Sequence, residues 1–186
     1  VITRYDERGN IAERTLFGID GKPCLGKEGY HKETLRYDNR GNKTEHAYFG
    51  TDGKPILSKM GLHKATLSYD EYGNKTEQAC FGADSQPLLG KHGFHKATSR
   101  YDKRGNVTEQ ACFGTDGQPV LNKYGYHKET ARYDERGNET EQAFFDVDGQ
   151  PLGVTENKIH RVTHQYNQNG DRIRTIYFDS KGNQLK

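Results

Sequence analysis

Three observations predict an all-β fold of stacked hairpins. The motif Tyr-Asp-x-x-Gly-Asn starts at Tyr5, Tyr37, Tyr69, Tyr101 and Tyr133, always 32 residues apart, and an altered copy, YNQNGD, starts at Tyr166. Phe17, Phe49, Phe81, Phe113, Phe145 and Phe178 each follow twelve residues behind one of these tyrosines. No segment has a helical period, whereas the segment after each motif alternates as a strand does. A repeat of this length is one supersecondary unit that cannot bury its apolar side chains alone and must stack on its neighbours. The chain therefore reads as a single repeat array over residues 1–186, an elongated, solenoid-like stack of 32-residue β-hairpins. A closed, propeller-like ring is the alternative topology. The sixth copy favours the open form, because Gln165, Asn167, Gln168 and Asn169 give it the polar character of an end cap.

One repeat reads in order as strand, turn, strand, turn and short strand. Residues 31–37 form the first strand, and DNRGN reverses the chain, with Asp38 capping the turn and Gly41 supplying a positive φ for a bulged hairpin. In the second strand Glu45, Ala47 and Phe49 share one face, while Thr44, His46 and Tyr48 share the other. Asp52-Gly53 reads as a second tight turn, absent only where Ser85 replaces the glycine. Pro55-Ile56-Leu57 follows as a short edge strand, since proline suits the first residue of an edge.

Composition narrows the function classes. The chain is 31% hydrophobic and 29% charged, with a mean hydropathy of −1.09, values that drift toward disorder. The fixed places of its 12 Tyr and 8 Phe argue instead for an ordered repeat. Basic and acidic residues number 28 and 26 and are interleaved, so no long-range field draws the chain to nucleic acid. No apolar run approaches the ~20 residues of a membrane span. Cys80 and Cys112 occupy equivalent positions, and Cys24 takes a place held elsewhere by Ile56, Leu88 and Val120. Small apolar fillers explain all three better than disulfides do, which leans toward a reducing compartment.

Several short motifs dissolve into the repeat. GKPCLGKE nearly spells a phosphate-binding loop but ends in Glu28, and the same slot elsewhere reads GKPILSKM and GQPVLNKY. His31-Lys32-Glu33 and Pro23-Cys24 echo a zinc deaminase signature without its second cysteine. Asp146-Val147-Asp148-Gly149 lacks the distal ligands of a calcium loop and reads as a turn. Asn42, Asn74, Asn106 and Asn138 open sequons that turn chemistry alone explains.

The polar feature that solubility does not require is a recurring pair: His31-Lys32, His63-Lys64, His95-Lys96 and His127-Lys128, with His160-Arg161 close to it. As struts, each His would bond across the stack to Glu45, Glu77, Glu109 or Glu141, and each Lys would pair with an Asp. As a ladder, the pairs would bind a ligand, with Tyr30, Phe94 and Tyr126 beside them stacking on sugar rings. The strut reading is preferred, because copies made by recent duplication share residues by descent. A nucleophile, base and orienting acid are nowhere gathered, so no enzyme is expected.

The stretch YDERGNETEQAFFDVDGQP, Tyr133 to Pro151, resembles the YD repeats of RHS proteins and teneurins over about half of each repeat. That resemblance implies a β-hairpin shell enclosing a toxin or forming an adhesive surface, and no catalytic residue carries over. The KxGYHKxT segment and the strict spacing are not part of that signature. A weaker likeness is to MORN-like units and choline-binding modules. The expected function is a non-enzymatic scaffold or binding module of a larger, bacterial, multidomain protein, with a carbohydrate-binding module or an RHS-like shell segment as the alternatives. No cofactor is expected. The expected partner is a protein or a polymer, glycans included, with no specific nucleic acid and no membrane span, and the chain is expected to be a monomeric fragment of a longer one.

Overall fold

The computed structural model describes residues 1–185. Regular structure among them consists of twelve strands and no helix, so no helix is long and apolar enough to cross a membrane. The fold is a repeated β-hairpin sheet, with residues 1–96 and 97–186 as two compact units. The first holds β1 (Ile2–Tyr5), β2 (Ile11–Thr15), β3 (Lys32–Tyr37), β4 (Lys43–Phe49), β5 (Lys64–Tyr69) and β6 (Lys75–Phe81). The second holds β7 (Lys96–Tyr101, from its second residue on), β8 (Val107–Phe113), β9 (Lys128–Tyr133), β10 (Glu139–Phe145), β11 (Arg161–Tyr166) and β12 (Arg172–Phe178). Within each unit consecutive strands are hydrogen-bonded neighbours, and the last never returns to the first. Each unit is thus an open hairpin array and not a ring.

The register gives the array a stagger. Thr34 pairs with Ala47, Ala47 with Lys64, and Lys64 with Phe81, so each repeat slides by two residues against the one before. In the second unit Thr130, Ala143, Arg161 and Phe178 trace the same slide. Two residues of rise, ~6.7 Å, against two strand spacings, ~9.6 Å, place equivalent side chains on a line inclined about 35° to the strand perpendicular and about 12 Å apart. An even stagger of two also keeps every position on its own face of the sheet.

Three turns of one design close each of the first four repeats, whereas the third turn of the fifth is closed by two bonds between Val154 and Ile159. The Asp38 and Asn42 backbones bond N–H to carbonyl at 2.9 Å, and the Gly41 N–H donates to the Asp38 carbonyl at 3.2 Å. The same two bonds recur from Gly50 to Lys54 and from Ser58 to Leu62. Gly41, Gly53 and Gly61 all have φ between +76° and +85°, the left-handed region that glycine enters without steric cost. In the first turn the Asp38 carboxylate also accepts from the backbone N–H groups of Arg40 and Asn42 and from the Asn42 amide, all at 2.9 Å. The Asn42 amide chiefly holds the Asp38 carboxyl below the usual carboxylate range, as its counterparts do for Asp6, Asp70, Asp102 and Asp134. In the altered copy the roles exchange: Asn167 accepts from Asn169 and Asp171 and donates its amide to the Asp171 carboxylate.

Two expectations are corrected. Pro55-Ile56-Leu57 forms no strand; Pro55 makes one isolated bridge to Phe49, and the chain then enters the third turn. The copy without Asp-Gly keeps its turn, with Ser85 forced to φ +63°. Ser85→Gly is therefore expected to raise stability by about 1 kcal/mol, since a side chain in this region costs about that much. Urea midpoints would show it, and an unchanged or lower midpoint would contradict strain at Ser85.

The apolar core lies between repeats. Tyr48 and Leu62 of one repeat cluster with Ala65 and Cys80 of the next, and Tyr30 and Ile56 pack against them. The three cysteines are free, with Cys80 and Cys112 buried. Tyrosines of the YD motif also reach backward: the hydroxyls of Tyr69, Tyr133 and Tyr166 donate to the carbonyls of Lys43, Val107 and Glu139 in the preceding repeat.

Candidate interaction face

The face shared by Glu45, Ala47 and Phe49 carries most of the charge of the strands. Strand alternation places Lys32, Thr34 and Arg36 of β3 opposite those three residues. The stagger then brings Lys64 of the next repeat diagonal to Glu45. Each glutamate consequently lies between two cations: Glu45 Oε1 is 3.4 Å from Arg36 Nε, and its Oε2 is 4.0 Å from Lys64 Nζ. Glu13 lies between Arg4 and Lys32, Glu109 between Arg100 and Lys128, and Glu141 between Arg132 and Arg161. Ser68 replaces the arginine in one repeat, where Glu77 keeps Lys96 at 3.4 Å. Cations therefore outnumber carboxylates along this face.

The aromatic residue of each repeat joins its lysine to the next histidine. The Lys32 ammonium lies 4.9 Å from the centroid of Phe49, and the His63 ring meets that same phenyl edge-on at 5.2 Å and 85°. Lys64, Phe81 and His95 repeat the set, and Phe113 meets His127 in the same way. His63 Nδ1 is 2.7 Å from the Tyr48 carbonyl, an acceptor, so that nitrogen carries the proton. His95 and His127 bond the carbonyls of Cys80 and Cys112 alike, while His31 reaches the Cys24 carbonyl at 3.3 Å. His31, His63 and His127 are buried.

The recurring pairs thus have partners other than those expected of struts. Histidine bonds a main-chain carbonyl where Glu was expected, and lysine pairs with Glu where Asp was expected. The aspartates accept from backbone N–H groups of their own turns, and the lysine that Asp52 pairs with is its turn neighbour Lys54, at 3.9 Å. Of the rings expected to stack on sugars, Tyr30 stacks on Tyr48 at 4.6 Å, Phe94 lies beside His92 at 6.1 Å, and Tyr126 tilts against Phe144 at 4.9 Å. The Tyr126 hydroxyl donates to Glu129 at 2.8 Å, and burial foremost raises its pKa. The sequon asparagines spend their amides on the turn aspartates.

No protein-family model matches the chain, and no curated protein matches it significantly. Among solved structures, the TcdB2-TccC3 crystal structure covers 99% of this chain at 13% identity and a TM-score of 0.44, and the chain covers 10% of it. The TcdB2-TccC3-TEV crystal structure covers 99% at 13% identity and a TM-score of 0.42, with 12% of that chain covered. For the Photorhabdus luminescens Tc holotoxin pore the values are 96%, 12% and 0.38, with 10% covered. The chain spans about a tenth of the length of the structures it matches. At such low TM-scores and identities these likenesses carry no inference about this chain.

The residues missed by sequence reasoning are the arginines before the YD tyrosines. Arg36, Arg100 and Arg132 expose 79–80% of their side chains, and each holds its glutamate through one guanidinium edge, leaving the other N–H groups in solvent. The recurring Arg-Tyr dipeptide was the available signal.

On the opposite face His46 differs from its counterparts Gln78, Gln110 and Gln142. Desolvation, with the nearby charge of Lys43, lowers its pKa to about 4 from an ordinary 6.5. The folded state then binds fewer protons than the unfolded one between those values, so stability is full above about pH 6.5 and is lost as pH falls toward 4. His46→Gln is expected to flatten the melting temperature across that window. An unchanged slope would show that His46 does not report burial.

Proposed function

We propose that the chain is a non-enzymatic repeat module that presents its Lys-Glu-Arg face to an elongated anionic partner, a protein segment or a polymer. The observation that carries this reading is the pair of exposed arginines about 12 Å apart in each unit, Arg4 and Arg36 in the first and Arg100 and Arg132 in the second, on a face with excess positive charge. Single exposed contacts of this kind are weak, contributing ~0–1 kcal/mol, but a partner with matching spacing engages several at once, and the sum is multivalent. The YDxxGN resemblance supports a place for such a module as a wall segment in a larger bacterial multidomain protein.

Dextran sulfate and polyglutamate, immobilised and probed across a salt series, test the reading. Replacing Arg4, Arg36, Arg100 and Arg132 by alanine is expected to cut retention at least about tenfold and to flatten the salt dependence, while the melting temperature moves little. No retention of the unaltered protein on either polymer, or undiminished retention of the variant, would overturn it.

A further inference from the structure

The third turns of the first unit, residues 26–30, 58–62 and 90–94, lie along the border of the sheet opposite the YD turns, because each follows the second strand of one hairpin and precedes the first strand of the next. The Lys59 N–H donates to the Glu28 carbonyl at 2.9 Å, and Lys59 Cγ lies 3.5 Å from the place a Cβ on Gly29 would take. Lys91 Cγ stands 3.6 Å from the same place on Gly61. Glycine, at φ +83° and +78°, thus leaves room for the lysine stem of the following repeat, and successive turns join into a ridge.

Two exposed side chains recur along the ridge. Leu25, Leu57 and Leu89 are 47–53% exposed, and Lys27, Lys59 and Lys91, two residues on, are exposed as well. Leu57 has a repeat of the same unit on either side and is still half in water, so packing of the array does not account for leucine there. The residue between leucine and lysine is Gly26, Ser58 or Gly90, and the one after is Glu28, Met60 or His92, so the pair stays while its neighbours change. Lysines of the sheet face each have a glutamate, as Lys64 has Glu45, but among the described residues no carboxylate lies within ion-pair distance of Lys27, Lys59 or Lys91. The ridge is therefore apolar and basic, with Glu28 its one carboxylate, and the stagger of the repeats sets its leucines about 12 Å apart.

We propose that this ridge is a docking surface for an acidic amphipathic helix of a protein partner, whose apolar face covers the leucines and whose Asp and Glu residues meet the lysines. A helix is the element the ridge suits, because the N–H groups of Ser58, Lys59 and Gly61 are already bonded to the carbonyls of Leu62, Glu28 and Ser58. That leaves side chains to bind and no ladder for a strand to join. Two turns of α-helix rise about 11 Å, close to the spacing of the leucines, so one face of a helix returns to the row at each repeat. The stems of Lys59 and Lys91 lie over the preceding turns, and only half of each leucine is free, which suits a segment lying along the ridge and not insertion into a lipid surface. The site uses none of the residues of the Lys-Glu-Arg face and does not rest on what binds there.

A fluorescent, alanine-based helical peptide of about 22 residues, with leucines along one face and glutamates flanking them, tests the proposal against the whole chain. A twin peptide carries lysine in place of every glutamate. Fluorescence anisotropy reads binding, and the acidic peptide is expected to bind at least about tenfold tighter than its twin. Protein carrying Leu25→Ser, Leu57→Ser and Leu89→Ser should lose at least about tenfold in affinity for the acidic peptide. Protein carrying Lys27→Glu, Lys59→Glu and Lys91→Glu should prefer the twin. Replacing Arg4, Arg36, Arg100 and Arg132 by alanine should change nothing. Thermal melts confirm that each variant is folded, and Leu57→Gln alone, with a loss of about threefold, serves if the triple leucine variant melts early. No binding of the acidic peptide, equal affinity for the twin, undiminished binding by the folded leucine variants, or binding lost with the arginines would each overturn the proposal. So would leucine-dependent retention on phosphatidylserine vesicles, which would make the ridge a lipid contact.

Discussion

Tyr48→Ala is expected to lower stability by about 3–5 kcal/mol, the range for truncating a buried aromatic side chain. Tyr48 is 6% exposed, its ring stacks at 4.6 Å on Tyr30 of the preceding repeat, and it joins Leu62 of its own repeat and Ala65 and Cys80 of the following one in one cluster. Burial pushes its phenol up to about 12, so the hydroxyl stays neutral and no ionised group opposes the packing at ordinary pH. Alanine would leave a cavity lined by Tyr30, Ile56, Leu62, Ala65 and Cys80, side chains drawn from neighbouring repeats. Tyr72, 83% exposed at a turn, is the control, and its replacement by alanine should cost no more than ~0.5 kcal/mol. Urea midpoints of the two variants decide the matter. A Tyr48→Ala cost no larger than that of Tyr72→Ala would show that contact between repeats does not hold the array together.

The hairpin of each repeat was legible in the sequence because its signals are local. Alternation placed Glu45, Ala47 and Phe49 on one face correctly, and Asp38 with Gly41 marked a bulged turn that the register shift at Arg36 and Tyr37 confirms. The third turn was not read. Gly29, Gly61, Gly93 and Gly125 recur every 32 residues, but the turn's first position is Gly26, Ser58, Gly90 or Asn122, and that variation hid a pattern made by backbone geometry.

The charge partners were legible only as far as parity reaches. Lysine and glutamate on one face follow from a period of two. That Lys64 reaches Glu45 depends on the two-residue slide between repeats, which is a property of pairs of repeats and has no mark inside either one. The histidines illustrate the same limit: a carbonyl acceptor such as that of Tyr48 has no side-chain identity to read, so a sequence argument turns to Glu by default.

Stability should rise with the number of repeats more steeply than in proportion, because the contacts described above run between repeats. A fragment of residues 31–62 retains its hairpin and turns but loses Ala65 and Cys80 from the Tyr48 cluster, the Tyr69 hydroxyl on the Lys43 carbonyl and the Lys64 partner of Glu45. It also loses the bonds of the Arg40 guanidinium to the carbonyls of Asp70 and Glu71. An isolated two-stranded hairpin is marginal in water at best, and in a linear array each added repeat contributes both its own weak stability and a whole interface. Residues 31–62 alone are expected to be unfolded, residues 1–62 to melt broadly at low temperature, and residues 1–95 to melt cooperatively. Circular dichroism melts at several concentrations separate this from self-association. A 31–62 fragment that melted cooperatively as a monomer would place the stabilising contacts within the repeat, in the turns that the aspartates close, and not in the cluster around Tyr48.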